Sequence, residues 1–518
     1  DGFTKAEQPG YVAKDLKAIM HQRVGFYVSK EGRLIAMGNY GIALHKKDDP
    51  NDGNGIGRVV REIKKDGSFG PIYFIYLNHD FNPEKGGKYK ADYPFYTKAK
   101  DKGFKKACEE ILANPLYRMQ WVEEADREDP LIPLKKPYKA FNWYTLPDGK
   151  IAALWKHALT SVSEDGGNTW SQPVLRAKGF VNSNAKIWGQ KLSDGTYATI
   201  YNPSEYRWPL AISLSADGLN YTTLNLVYGE VPPMRYAGNY KSFGPQYARG
   251  IQEGNGTPPD GDLWVTYSVG KEDMWITHIP VPVLVNAPAH ADENFANFKK
   301  LADLSMWNLN SYVWAPVSLE EKAGQTWLTL RDKDPFAAAM VERKIPASKN
   351  LTVSFDLMAD QNNQGEFEIE FLDENGVACA RIDLTKEGIM RSKGGARYGT
   401  VCNYEANKIY HIQMDLSVEN RSSVLTLNNG EKKVTRMFYA PVHAIERVKF
   451  RTGARTNFPT PDTWADQYED MPNAGAEEPE VTFRIANFKT SSNDVDGHAA
   501  LLKFDNFKHY VDYFNTME

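Results

Sequence analysis

At 518 residues the chain exceeds the roughly 250 to 300 that a single hydrophobic core accommodates, so two domains are expected. Its 62 Lys and Arg stand against 66 Asp and Glu, which leaves no charge excess to recruit nucleic acid or an anionic membrane. No apolar run approaches the roughly 20 residues of a membrane-spanning helix, so no membrane insertion is expected. Aromatic residues make up 12% of the chain, and the 40 Gly and 29 Pro fall mostly between short apolar runs, a mix that suits an all-β protein. The cysteines Cys108, Cys379 and Cys402 form no CxxC pair, which argues against a zinc site or a disulfide framework and leaves only Cys379 with Cys402 as a candidate bridge.

In chain order, residues 21 to 79 read as four strands: Val24 to Ser29, Leu34 to Leu44, Arg58 to Ile63 and Ile72 to Leu77. A polar, glycine-rich insert from Lys46 to Gly57 separates the second from the third. Residues 96 to 127 lose the alternation and space their apolar residues near 3.6, which predicts a helix or two. The four-strand plan returns over 139 to 177 with a turn at Asp148-Gly149, over 184 to 229 with a turn at Asp194-Gly195, and less clearly over 245 to 283. Repeated four-stranded units are the signature of propeller blades. From about residue 318 the strands lengthen and alternate strictly, as in Leu351 to Leu357 and Glu366 to Phe371, which predicts a jelly-roll sandwich. The domain expectation is therefore a β-propeller over 11–315 and a concanavalin-like β-sandwich over 316–518, with the last strand returning to the propeller. Pro459 to Pro479 reads as a long surface loop.

Ser163-Glu-Asp165-Gly-Gly167-Asn-Thr169-Trp170 fits the Asp-box pattern S-x-D-x-G-x-T-W, and Ser215-Ala-Asp217-Gly-Leu-Asn-Tyr221 is a degenerate copy in the next unit. Their carboxylates are expected to fold turns and their aromatics to pack between blades, so Asp165 and Asp217 are scaffold and not catalytic groups.

Antiparallel alternation assigns a working face. The starts of strands one and three and the ends of strands two and four share one rim of each blade. In the first unit that rim collects His21, Gln22, Arg23, His45, Arg58 and His79; later units add His157, Lys186, Asn202, Arg207, Trp208 and Gln246. His21 and His45 are the catalytic candidates, because imidazole titrates near neutrality, and the others are candidate substrate contacts. Arg58, Arg61 and Arg207 are able to hold a uronate carboxylate in bidentate fashion, with Tyr206 and Trp208 supplying rings for sugar stacking. His278 lies mid-strand and is expected to be packed.

Arg23-Val-Gly25, Asp49-Pro-Asn-Asp-Gly53 through Ile63, Asp66-Gly-Ser-Phe-Gly-Pro71, Arg207-Trp-Pro-Leu210 and Lys271-Glu-Asp-Met-Trp275 before Ile279-Pro-Val-Pro-Val283 together resemble glycoside hydrolase family 145. The resemblance covers most of residues 11 to 285. It implies a seven-bladed propeller, exo-α-L-rhamnosidase activity on rhamnose-α-1,4-glucuronate caps of arabinogalactan, and one essential histidine near the N-terminus, which by position is His21 or His45. The same groups suit β-elimination at a uronate, as in a polysaccharide lyase, and a glycan-binding propeller without catalysis is the third reading. A sialidase is less favoured, because no Arg-Ile-Pro signature opens an arginine triad. No cofactor is expected; Asp48-Asp49-Pro-Asn-Asp52 has oxygen ligands enough for a structural calcium, with a solvated loop as the simpler account. The partner that the resemblance implies is an oligo- or polysaccharide containing rhamnose and glucuronic acid, the chain is expected to be monomeric, and Asp1 in place of Met fits a processed, secreted or periplasmic protein.

Overall fold

The computed structural model describes residues 19–42, 55–78, 93–125, 138–181, 185–204, 207–230, 233–237, 242, 244–250, 260–283, 286–288, 290–374, 376–453, 469–492 and 498–500. The chain is all-β apart from one helical hairpin, and it divides into a propeller-like set of small antiparallel sheets and a C-terminal sandwich.

The first sheet runs β1 (Ile19–Val28), β2 (Leu34–Ile42), β3 (Gly55–Ile63) and β4 (Tyr73–Leu77), paired in sequence order. Ile35 through Tyr40 are buried on both faces of β2, as a strand inside a stack of sheets requires. The helices α1 (Lys102–Ala113) and α2 (Pro115–Ala125) follow. Asp101 caps α1, its Oδ1 accepting from the Gly103 and Phe104 amides at 2.9 and 3.1 Å. Phe104, Ala107, Cys108 and Ile111 line one face of α1 and pack with Ile35, Met37, Val60 and Ile75 of the first sheet. Pro115 opens α2 beneath Asn114, whose Oδ1 accepts from the Leu116 amide at 2.9 Å. Leu116 and Met119 then pack with Phe141, Ile151, Ala153, Trp155 and Trp170 of the second sheet, so the hairpin joins the first two blades.

The second blade is β5 (Asn142–Thr145), β6 (Ile151–Trp155), β7 (Leu159–Ser163) and β8 (Leu175–Arg176). The third is β9 (Trp188–Lys191), β10 (Tyr197–Tyr201), β11 (Leu210–Ser215) and β12 (Asn225–Tyr228). The fourth has three strands, β13 (Pro245–Gly250), β14 (Leu263–Val269) and β15 (Asp273–Ile279). The described residues form these four units; the further blades that the resemblance implies are not among them. Blades one, three and four meet at the centre. Arg249 of β13 lies 5.7 Å over the Trp188 ring of β9, and a Cβ on Gly25 of β1 would stand 3.2 Å from the Arg249 guanidinium.

Both Asp boxes fold as expected. Asp165 Oδ1 accepts from the amides of Asn168 and Thr169 at 3.0 and 2.8 Å and from Ser163 Oγ at 2.8 Å, while Oδ2 takes the Thr169 hydroxyl at 2.7 Å. The Thr169 hydroxyl and amide hold its pKa down to about 2, the value of a carboxylate committed to its turn. Asp217 does the same for Leu219 and Asn220, both amides at 2.8 Å. Packing of the aromatic differs from expectation: Trp170 lies within its own blade, 5.7 Å from both Trp155 and Phe141, and Gly167 is required because a Cβ there would meet Leu116 of α2 at 2.3 Å. The helical hairpin occupies the side of the blade that a neighbouring sheet would take.

The remaining strands are β16 (Asn286–Pro288), β17 (Asp292–Glu293), β18 (Trp307–Asn310), β19 (Val317–Lys322), β20 (Gln325–Asp332), β21 (Met340–Ser348), β22 (Asn350–Ala359), β23 (Phe367–Leu372), β24 (Ala378–Leu384), β25 (Ile389–Gly394), β26 (Arg397–Asn403), β27 (Tyr410–Ser417), β28 (Ser422–Leu427), β29 (Lys432–Met437), β30 (Ile445–Thr452), β31 (Val481–Ser492) and β32 (His498–Ala500). One sandwich sheet has the order β19-β20-β31-β22-β27-β28-β29, with β17 also on β31; the other is β18-β21-β30-β23-β24-β25-β26. Among the described residues β16 pairs with β32 alone. Phe355, Phe367, Phe450, Phe483 and Phe488 interleave between the sheets, with Phe367 stacked on Phe483 at 4.6 Å. Cys379 and Cys402 are free thiols, so the candidate bridge is not formed and the chain has no disulfide framework among its described residues, as its cysteine pattern led one to expect. They lie on β24 and β26 with β25 between, and two strand spacings of about 4.8 Å exceed the Cα separation a disulfide spans.

Candidate functional site

The rim chosen from strand alternation is where the propeller stores backbone strain. Ala140 (φ 61°), His157 (65°), Ala158 (56°), Arg207 (58°), Tyr247 (60°) and Lys271 (56°) are left-handed without being glycine, and they are all such residues among those described before β16. Each lies at the start of an innermost strand or in a connection on that rim. Such conformations cost about 1 to 3 kcal/mol apiece and concentrate where side chains must be aimed.

Three of the six converge. β13 is bulged between Gln246 and Arg249, which turns the half-exposed Tyr247 outward from the rim. Arg207, in the β10–β11 connection, donates from Nη1 to Gln246 Oε1 at 2.8 Å and to the Tyr247 hydroxyl at 3.2 Å. Its Cζ stands 5.6 Å from the centre of the Tyr247 ring, and Lys271 Nζ, from the β14–β15 connection, stands 5.8 Å away. Burial acts to raise the Tyr247 pKa, yet Lys271 and Arg207 together bring it below the ordinary phenol value. The result is a phenol whose ionised form is favoured by two cations supplied by two blades.

The support beneath this group is rigid. Asn202 is 1% exposed and donates to the carbonyls of Pro209 and Pro245 at 2.9 and 2.6 Å, tying the β10–β11 connection to the start of β13. Trp208 donates from Nε1 to Gly229 O at 2.9 Å. A Cβ on Gly244 would lie 2.0 Å from Arg207 O, so the two connections cross too closely for any other residue there.

Of the residues predicted from sequence, the structure therefore brings Asn202, Arg207, Trp208 and Gln246 together, with Asn202 and Trp208 fixing loop geometry and Arg207 directed at Tyr247. Arg58 is only 3% exposed within β3, opposite Asn39 of β2. Arg61 is held at the opposite end of its strand, donating to Gly70 O at 2.9 and 2.7 Å, and so is removed from the site. His157 is exposed on the rim of the second blade and Lys186 is half-buried before β9. His21, Gln22 and Arg23 belong to β1 with side chains outside the described residues; His45, His79, Tyr206 and the acidic Asp48 to Asp52 segment lie outside them altogether. His278 is packed as expected, 4.4 Å from the Trp264 ring and 2.6 Å from Asp262. Sequence reasoning missed Tyr247 and Lys271; the signal available was their place at the start of an innermost strand and in an outer connection, equivalent to Lys186 and Arg207.

Comparison with known proteins covers both halves. Residues 1–138 match the family profile of a BT_1020-like N-terminal beta propeller, residues 140–257 a BNR repeat-like domain, and residues 307–467 a sialidase-like CBM domain. A solved structure named "Sialidase" is 66% identical and superposes with a TM-score of 0.86 over 100% of this chain and 47% of its own, so the chain spans about half that protein's length. A mutant of Trypanosoma rangeli sialidase displaying trans-sialidase activity is 10% identical over 96% of this chain and 84% of its own, with a TM-score of 0.28. A GH131 beta-glucanase catalytic domain from Podospora anserina is 11% identical over 39% of this chain and 96% of its own, also at 0.28. Superpositions at 0.28 carry no structural argument. No curated protein sequence matches. The two propeller-type profile matches and the 66% identical structure agree with the resemblance read from the sequence at the level of the propeller superfamily.

Proposed function

We propose that the protein is a glycoside hydrolase acting on anionic glycans, in which Arg207 and Lys271 hold the carboxylate of an acidic sugar and the Tyr247 oxygen acts at its reacting carbon. The observation that carries this reading is the placement of a phenol between two cations, all three on strained backbone at one rim. A guanidinium and an ammonium 5 to 6 Å from one ring recognise a carboxylate by charge-assisted hydrogen bonds. They also favour the phenolate, which is the nucleophilic form. In the hydrolytic step the phenolate attacks the anomeric carbon as the glycosidic C–O bond breaks and the leaving oxygen takes a proton from solvent; water then attacks the same carbon, the bond to the Tyr247 oxygen breaks, and the proton the water gives up restores the phenol. The similarity to a structure named "Sialidase" supports an acidic, carboxylate-bearing sugar as substrate class.

The finer assignment is release of terminal α-L-rhamnose from a 1,4-linked glucuronate, with His21 or His45 moving the proton. The same Arg207 and Lys271 would then hold the glucuronate. A second reading, β-elimination, is favoured by one observation: Arg207 bridges Gln246 and Tyr247, which places a carboxylate-neutralising group beside a basic phenol suited to removing the uronate C5 proton. A polymeric glycan as substrate supports a secreted or periplasmic location for the enzyme.

One experiment separates these. The protein is incubated in parallel with sialyl-oligosaccharide, rhamnose-capped arabinogalactan and a neutral oligosaccharide of similar size. Hydrolysis releases a saturated acidic sugar or rhamnose, whereas elimination leaves an unsaturated uronate with near-ultraviolet absorbance. Turnover confined to the acidic substrates and lost in Tyr247→Phe is the expected result. Equal turnover of the neutral oligosaccharide, or a fully active Tyr247→Phe variant, overturns the proposal.

A further inference from the structure

Lys271 reaches Tyr247 from a turn that lysine does not favour. The Glu272 amide donates to Val269 O at 3.0 Å across Gly270 (φ 62°) and Lys271 (φ 56°), a mirror-image two-residue turn whose central positions ordinarily take Gly or Asn. A lysine in the left-handed region persists where its surroundings over-determine it. Here the constraint comes from Glu272, whose side chain is 5% exposed. Its carboxylate accepts from the Arg235 amide at 2.8 and 2.9 Å and from the Tyr236 amide at 2.9 Å, with Arg235 Nε at 3.4 Å. Met234, also buried, lies against Gly270, where a Cβ would stand 3.5 Å from its Cγ. Two connections on the rim, 233–237 and 269–273, are thus locked together one residue from the ammonium.

The 233–237 connection is in turn held by the sandwich. From the β30–β31 connection the Met471 amide donates to Arg235 O at 2.7 Å, and Asp470 Oδ1 accepts from the Ala237 amide at 2.7 Å. The Tyr236 hydroxyl donates to Ala474 O at 3.0 Å. The Arg235 guanidinium spans Asp273 of β15 at 2.5 Å and Asp334, which follows β20, at 3.9 Å. Asp334 is itself fixed, accepting from the amides of Phe336 and Ala337 at 2.9 and 2.8 Å. Residues 235 to 237 each meet the sandwich through a polar group, and hydrogen bonds fix orientation as well as distance.

We propose that the sandwich aims the ammonium of the propeller's site: Asp334 and Asp470, acting through Arg235, Tyr236 and Glu272, are positioning residues that hold Lys271 over Tyr247. A lysine carries its charge on a flexible four-carbon stem, so the charge is aimed by fixing the root of that stem. The root is fixed here by charge-assisted bonds from two backbone amides to Glu272, the next residue along. Arg207 needs no such help, because it is anchored within the propeller on Gln246 and Tyr247. The two cations beside the phenol therefore differ in origin: one is placed by the blades alone, the other by the blades and the sandwich together. The consequence for turnover rests on the reading of Lys271 as a carboxylate contact; the positioning itself does not.

The test uses the whole chain with a fluorinated tyrosine in place of Tyr247, whose ionisation is followed by fluorine NMR against pH. Lys271→Met calibrates the readout and raises the phenol pKa by about one unit. Asp334→Asn, and Asp470→Ala combined with Tyr236→Phe, are each expected to give about half that rise or more. Loss of a carboxylate acts by itself to lower a nearby phenol's pKa, so a rise reports displacement of the ammonium and not the missing charge. Asp470→Asn loses the same charge but keeps an acceptor for the Ala237 amide, and stays at the parent value. Asp470 and Tyr236 are exposed, so these changes leave the fold standing. With an acidic substrate the loosened variants raise KM about tenfold and change kcat less than about threefold. A raised phenol pKa with KM unchanged upholds the positioning and removes Lys271 from substrate binding, so the two readings fail separately. A parent-like phenol pKa in both loosened chains, or an equal rise in Asp470→Asn, overturns the inference.

Discussion

Tyr247 and Glu368 are both ionisable groups moved by their surroundings, in opposite senses: burial, with Glu370 and Asp383 nearby, raises Glu368. For Tyr247 the cations outweigh burial, so Tyr247→Phe removes the oxygen and little else. Turnover of an acidic substrate is expected to fall at least 100-fold with stability changed by less than about 0.5 kcal/mol, measured by steady-state kinetics beside chemical denaturation. Glu368 holds its proton up to about pH 7 in the folded chain, against an ordinary value of 4.5. Between those two values the folded state binds the extra proton, so its contribution to stability declines as pH rises through that window. Glu368→Gln abolishes the dependence. It is expected to stabilise the protein by about 1 to 3 kcal/mol at pH 8 and to change it little at pH 5, which thermal unfolding at the two pH values checks.

At the scale of elements, the Asp-box turns show how a short motif carries its own instructions. Ser163 is 1% exposed; its hydroxyl donates to Asp165 and accepts the Gly167 amide, both at 2.8 Å. Ser163→Ala leaves that amide buried without a partner and is expected to cost about 1 to 2 kcal/mol, seen as a lower denaturation midpoint with activity retained, because the turn lies at the opposite end of β7 from the rim. Trp170 fills the space between Trp155, Phe141 and α2. Its truncation to Ala is expected to cost about 3 to 5 kcal/mol and to loosen α2, which hydrogen exchange along residues 115–125 reads directly.

Across the whole molecule, the propeller and the sandwich are joined by charge as well as by rings. Arg235 lies 2.5 Å from Asp273 and 3.9 Å from Asp334 of the sandwich, and its backbone amide donates to Glu272. Tyr312 packs edge-on against Trp275 at 4.6 Å, and Lys449 meets Glu230 at 2.8 Å. Arg235 is 13% exposed, so Arg235→Met strands buried carboxylates at the junction and is expected to cost about 3 to 5 kcal/mol. Differential scanning calorimetry should then resolve two transitions where the parent shows one; a single unshifted transition would mean that the rings alone couple the domains. Between the two domains, a cleft of about 930 Å³ opens beside β15, lined by Met274, Trp275, Ile276, Trp314, Glu342 and Arg447.

The sequence alone determined the all-β class, the repeated four-strand unit, the helical hairpin and the Asp boxes. These are local: they follow from alternation of period two, from turn residues and from caps that satisfy groups within a few positions. It also placed Arg207 and Gln246 on the working rim, since strand direction is a local property. What it missed required contacts distant in sequence. Tyr247 gains its chemistry from Arg207 and Lys271, 40 and 24 positions away, and from a bulge visible only in the β13–β14 register. Trp170 faces α2 because a helical insertion stands beside its blade. Cys379 and Cys402 stay apart because β25 runs between them. The Glu368 and Asp383 pair, one residue among many in alternating strands when read linearly, becomes a like-charge couple only when the ladder sets them opposite. Pairing partners across sheets and between blades are fixed by the summed burial of the whole fold, and tertiary structure alone decides them.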